Sequence, residues 1–194
     1  KVTERSDNGN QSPDSRTTDF YTYYSNGNLR EHRREIDSDV IPPFERLDVW
    51  QFTYDAQDNT LTELSQQDLG PEGTVANWEL RAYYYNLDNK KLSETVYRGS
   101  GTLSNEEERY SYWFSYDENQ QELIRFLQAD HDADGTLDFT ELRSKLYDTN
   151  KNLFQTVTQV DTDGNGTFDT SSRENNHFTF IEDGLQYILS IVYD

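Results

Sequence analysis

The sequence predicts an all-β fold, an antiparallel meander of about six two-strand repeats of 31 residues. Three observations carry this. Tyr54, Tyr85, Tyr116 and Tyr147 recur every 31 residues. A second set, Asp37, Asp68, Gly99, Asp130 and Asp161, recurs at the same interval, about half a period away. Between the two sets apolar residues alternate, as in Trp50, Phe52 and Tyr54, or Tyr110, Tyr112, Phe114 and Tyr116. Alternation with period two places one set of side chains on one face of a sheet. One such unit cannot bury its aromatic face alone, whereas stacked units can. The sheet is expected either to close into a barrel or small propeller, which removes its edges, or to stay open and twisted.

Along the chain, residues 1–16 contain one large apolar residue, Val2, and read as a disordered lead or tether. No signal peptide is visible and the first residue is not Met, which fits a processed form. Residues 17–194 are expected to form one β-repeat domain. Six strings mark its hairpins: "YYSNGNL", "TYDAQDNTL", "YYNLDNKKL", "SYDENQQEL", "LYDTNKNL" and "TFIEDGL". Each runs from an aromatic residue through a polar stretch to Leu. Asn, Asp, Gln and Gly clustered between apolar residues are turn formers. Tyr24, 30 residues before Tyr54, and Phe180, 33 after Tyr147, are taken as the outer members of the series. "LFQTVTQV" (153–160) and "LQYILSIVY" (185–193) are rich in strand formers.

Fourteen Tyr, ten Phe and three Trp supply the apolar mass. Each buries roughly 150–250 Å² when packed. The net charge of −20 argues against nucleic acid and anionic membrane surfaces as partners and favours cations. No run of ~18 apolar residues exists, so no helical membrane insertion is expected. The absence of cysteine excludes disulfides, thiolate metal sites and cysteine nucleophiles.

Tyr54-Asp55, Tyr116-Asp117 and Tyr147-Asp148, together with "SNGNL" at 25–29, resemble the YD repeats of bacterial RHS and teneurin-like shells. Those repeats are usually nearer twenty residues, and six short units do not build a large shell. What the resemblance implies here is β-hairpin character.

Two turns of the second register carry a chemical pattern. In "DHDADGTLD", Asp130, Asp132 and Asp134 stand at positions 1, 3 and 5, Gly135 at 6, Thr136 at 7 and Asp138 at 9. "DTDGNGTFD" repeats it with Asp161, Asp163, Asn165, Gly166, Thr167 and Asp169. Oxygen ligands at alternate positions suit Ca2+, which takes six to eight oxygens at about 2.3–2.6 Å. The threonines would offer carbonyls, and Leu137 at position 8 would pin the first loop to the core. The loops resemble those of EF-hands, dockerins and FG-GAP hairpins. The turns at 37–43, 68–73 and 99–104 lack the ligand set.

The alternative fold is an α-helical EF-hand pair in the C-terminal half. "ELIRFLQADHDADGTLDFTELRSKL" fits helix, loop, helix, with Leu123, Phe126 and Leu127 on one face and Glu141 at position 12. Against it, position 12 of the second loop is Ser172, and its flanks are strand-like. In the β-reading Glu141 is a strand residue. Asp, Asn and Gly also fill turns without any metal, and that plain reading stands beside the calcium one.

No phosphate loop or nucleophile elbow appears, and His32, His131 and His177 share no ligand spacing and are expected at the surface. Trp50, Trp78 and Trp113 are candidates for stacking on sugars, with the aromatic core of a sheet as the plainer role. The expected function is a calcium-binding, non-catalytic module, secreted, periplasmic or on a cell surface. Its other partner is expected to be a glycan or another surface protein. A polysaccharide-acting hydrolase with paired carboxylates is the alternative.

Overall fold

The computed structural model describes residues 2–5, 15–37, 46–67, 75–181 and 184–193. Thirteen strands form, and no helix occurs among the described residues. They are β1 (Val2–Arg5), β2 (Ser15–Tyr23), β3 (Leu29–Asp37), β4 (Arg46–Tyr54) and β5 (Thr60–Gln67). β6 (Asn77–Tyr85), β7 (Lys91–Ser100), β8 (Glu106–Tyr116) and β9 (Glu122–Asp130) follow. β10 (Phe139–Tyr147), β11 (Leu153–Asp161), β12 (Thr170–Ile181) and β13 (Gly184–Tyr193) complete the series. Their order in one open sheet is their order in the chain. The open meander is therefore the form adopted, not the closed barrel or propeller.

β1 lies within the stretch read from sequence as an unstructured lead, and it pairs antiparallel with β2 through Val2↔Thr18 to Arg5↔Ser15. Residues 1 and 6–14 of that stretch lie outside the described residues. The chain divides into two compact units, residues 1–85 with 95–109, and residues 86–94 with 110–194.

The helical EF-hand alternative is overturned. The segments flanking "DHDADGTLD" are β9 and β10, paired from Phe139↔Ala129 to Ser144↔Ile124. Leu123, Phe126 and Leu127 stand on β9, because ladder pairing with β10 outweighs a helix-like spacing of three apolar residues.

The tyrosine register marks one kind of turn. Asp55 donates its amide to the Asn59 carbonyl (2.9 Å), and Asp58 donates to the Asp55 carbonyl (3.2 Å). The same pair of bonds closes the turns at 24–28, 86–90, 117–121 and 148–152. Each is a three-residue loop whose last residue is left-handed: Gly27, Asp58, Asn89, Gln120 and Lys151, with φ of 93°, 65°, 60°, 66° and 68°. The residue opening the loop explains the Tyr-Asp pairing. Asp55 Oδ1 accepts the amides of Gln57 (2.8 Å) and Asn59 (2.9 Å), and Asp148 Oδ1 those of Asn150 and Asn152 (both 2.8 Å).

The structure shifts the start of the series. A bulge falls at Thr22/Tyr23, at Thr53/Tyr54 and at Leu146/Tyr147, so Tyr23 matches Tyr54 and the interval is again 31. Tyr24 takes the place of Asp55. At the far end the bulge is at His177/Phe178, 31 after Tyr147, so Phe178 replaces Phe180 in the series. Tyrosine hydroxyls then tie hairpins together: Tyr116 donates to the Lys91 carbonyl (2.8 Å) and Tyr147 to the Glu122 carbonyl (2.9 Å).

Few apolar side chains are fully buried. Among the described residues they are Val49, Trp78 and Val96 in the first unit and Ala129 in the second. Cross-strand pairs take the place of a deep core. In the first unit the His32 ring is stacked between Tyr21 (4.5 Å, 8°) and Trp50 (4.7 Å, 15°), and its Nε2 lies 2.8 Å from Asp19 Oδ1. His32 is therefore an interior element of the sheet, where a surface role was expected. In the second unit Arg125 and Arg143 face each other across β9 and β10, and both meet Glu141 (2.9 and 3.3 Å).

Candidate metal centres

Both acidic loops lie in the second unit, at hairpin ends opposite the tyrosine turns. The first joins β9 to β10, the second β11 to β12. Each begins on the last strand residue. Asp130 and Asp161 are 3% and 1% exposed, so position 1 is buried in both. Their carboxylates organise the loop backbone. Asp130 accepts from the amides of Asp134 (Oδ1, 3.2 Å) and Gly135 (Oδ2, 3.0 Å). Asp161 accepts from those of Asp163 (Oδ1, 3.3 Å) and Gly166 (Oδ2, 2.8 Å). The sixth residue must turn left-handed to present its amide, with φ of 92° at Gly135 and 87° at Gly166, which is why glycine stands there.

Position 9 closes the loop. Asp138 donates its amide to the Ala129 carbonyl (3.0 Å), and its Oδ2 accepts from the His131 amide (2.7 Å). Asp169 does the same with Val160 (2.8 Å) and Thr162 (2.7 Å), and also accepts from the Thr162 hydroxyl (2.6 Å). That hydroxyl, and then the amide, hold the Asp169 carboxyl below its usual range.

Folding thus brings positions 1, 3 and 9 together. In Asp130, Asp132 and Asp138, one carboxylate oxygen from each lies within 4.8 Å of the others, and Asp161, Asp163 and Asp169 repeat this. Three converging oxygens of this kind can hold a metal ion. Position 5 is used differently. Asp134 Oδ1 accepts from the amide (2.7 Å) and hydroxyl (2.5 Å) of Thr136, which holds its carboxyl below the usual range, the hydroxyl contributing most. Asn165 Oδ1 likewise accepts from the Thr167 amide (2.8 Å). Thr136 and Thr167 therefore brace position 5 through their amides. Glu141 is engaged by the two arginines of its own sheet face.

Position 8 departs from expectation. Leu137 and Phe168 are 39% and 38% exposed, so neither side chain pins its loop to a core. Beyond their own hydrogen bonds, the two loops also touch. A Cβ on Gly164 would lie 1.7 Å from the Leu137 carbonyl oxygen, 2.4 Å from its carbon and 3.1 Å from the Asp138 amide nitrogen. The backbone of the second loop therefore rests on the peptide that precedes ligand Asp138. Sequence spacing gave no sign of this contact, except that position 4 is Ala133 in one loop and Gly164 in the other.

Elsewhere the first unit carries a cleft of about 380 Å³ lined by Trp78, Glu79, Arg98, Glu107 and Glu108 among others. Burial pushes the Glu79 carboxyl up, but hydrogen bonds from Arg81 and Arg98 more than offset this and leave it below the usual range. Trp78 is buried and donates to the Thr102 carbonyl (3.0 Å). Trp50 is stacked beneath His32, and Trp113 is 42% exposed. Of the three tryptophans, Trp113 is the one presented to solvent. His177 stands on β12.

No protein-family model matches this chain, and a search of curated proteins finds no match.

Proposed function

We propose that this chain is a calcium-binding, non-catalytic β-repeat module of a secreted, periplasmic or cell-surface protein, used for binding or adhesion. The observation that carries the reading is the pair of aspartate triads at equivalent positions of two successive hairpins. Carboxylate oxygens are hard ligands that suit calcium better than softer metals. Two ions would take the formal charge from −20 to −16. They would relieve repulsion at the loop ends and lock the hairpins there. Calcium is abundant outside cells, which is the reason for the location proposed. A glycan or a surface protein is the partner class, with the exposed Trp113 available for stacking. The polysaccharide hydrolase reading has less support. A general acid needs a raised carboxyl pKa, and Glu79 in the Trp78 cleft is lowered instead.

The test is thermal unfolding in chelator and in millimolar calcium. An ion that binds only the folded chain stabilises by about 2.7 kcal/mol at a hundredfold excess over Kd. For a chain of this size that raises Tm by roughly 5–10 °C. Asp132→Ala with Asp163→Ala should remove the increment. Identical melting with and without calcium, in both proteins, would refute the reading.

A further inference from the structure

We infer a saccharide-binding cleft in the first unit, between the β2–β3 turn and β4, that takes an uncharged sugar. It rests on the glycan part of the reading above and does not involve the calcium loops, which lie in the second unit. The cleft has a volume of about 450 Å³ and is lined by Thr22, Tyr24, Arg30, Glu31, Gln51 and Thr53 among others. Small-molecule sites ordinarily measure roughly 300–1,000 Å³ and carry a few converging polar groups. Strand pairing assembles those groups here. Thr22 stands opposite Glu31 on β3, and Glu31 opposite Gln51 on β4, so three strands present one polar row. The β2–β3 turn adds Tyr24, whose hydroxyl reaches β4 and donates to the Phe52 carbonyl (3.0 Å).

The distinctive group is Arg30. Its guanidinium lies 5.9 Å from the centre of the Tyr24 ring and, among the described residues, makes no ion pair. Arg33, Arg34 and Arg46 nearby each meet a carboxylate, at 3.1, 2.9 and 2.8 Å. In a chain with 37 acidic residues, Arg30 keeps its donors for something else. Glu31 does not take them: its Oε2 accepts from Gln51 Nε2 (3.0 Å). Arg30 offers donors only, Glu31 acceptors only, and Gln51 and the two threonines both. A sugar hydroxyl donates and accepts at once, so this mixed set fits neighbouring ring hydroxyls. Charge sets the class of sugar. Arg30 and Glu31 cancel, which leaves a neutral cleft on a chain of net charge −20. A uronate or sulfated sugar would be repelled by Glu31 and by the field of the whole chain, and an uncharged sugar is not. Tyr24, 38% exposed, supplies an aromatic wall for the apolar side of the sugar.

The experiment is binding of the full chain, in calcium, to immobilised oligosaccharides: neutral hexose and N-acetylhexosamine chains, with uronate-bearing and sulfated chains beside them. Retention on neutral chains and none on the charged ones is expected. Calorimetric titration with a retained oligosaccharide then compares variants. Arg30→Ala and Gln51→Ala, both at exposed positions, should each weaken binding by about tenfold or more with unchanged melting. Retention on the charged chains alone would overturn the neutral cleft. Neutral-sugar binding that survives both substitutions and is lost in Trp113→Ala would overturn this site while leaving the glycan reading intact. No retention on any oligosaccharide would overturn both.

Discussion

Gly164→Ala tests the contact between the two acidic loops. Two effects are separable. The first is conformational: Gly164 has φ of 67°, where a side chain costs about 1 kcal/mol. The second is steric: the new methyl would sit 1.7 Å from the Leu137 carbonyl oxygen and 2.4 Å from its carbon. These are backbone atoms, so the loops must part, and overpacking of this kind costs typically 1–3 kcal/mol. The sum is roughly 2–4 kcal/mol. Loop 1 supplies the control, because the equivalent Ala133 already adopts φ of 53°. Left-handed Ala is tolerated there, so the conformational effect alone does not demand glycine. Urea unfolding in chelator measures the cost without any metal. A loss of 1 kcal/mol or less would refute the loop-on-loop contact.

Two further outcomes follow from the first unit and the tyrosine turns. Asp19 accepts from His32 and Arg34 (2.8 and 2.9 Å), and His32 first, then Arg34, hold its carboxyl below its ordinary value of 3.8 despite opposing burial. A depressed carboxyl contributes stability that is present above its unfolded pKa and lost as pH falls through the folded one. Asp19→Asn should therefore cost about 2 kcal/mol at pH 7. The gap should close below its folded pKa, under 3.8, and urea midpoints across that range check it. Gln120→Gly should stabilise by about 1 kcal/mol, because Gln120 is held at φ of 66° at the tip of its turn. An unchanged or lower urea midpoint would contradict the left-handed assignment.

The repeat and its hairpins were legible because their causes are local. Asp55 and Asp148 form their turns through amides two and four residues on, so the pattern is written in adjacent letters. The bulge was not legible, and the series was therefore entered at Tyr24, whereas the partner strand selects Tyr23. His32 read as a surface residue because nothing near it in sequence announces Tyr21 and Trp50 on the neighbouring strands. The EF-hand spacing of Leu123, Phe126 and Leu127 lost to the β9–β10 ladder for the same reason.

The sequence by itself determined the all-β class, the 31-residue interval and the two acidic loops, since alternation and turn chemistry act over a few residues. Tertiary structure decided which of the carboxylates converge. Asp134 turns to Thr136 while Asp130, Asp132 and Asp138 meet, because strand pairing fixes positions 1 and 9 across the hairpin and the loop between them must follow. It also decided burial. Asp130 and Asp161 end their strands nine-tenths buried or more, and the amides of Gly135 and Gly166 satisfy the carboxylates they enclose.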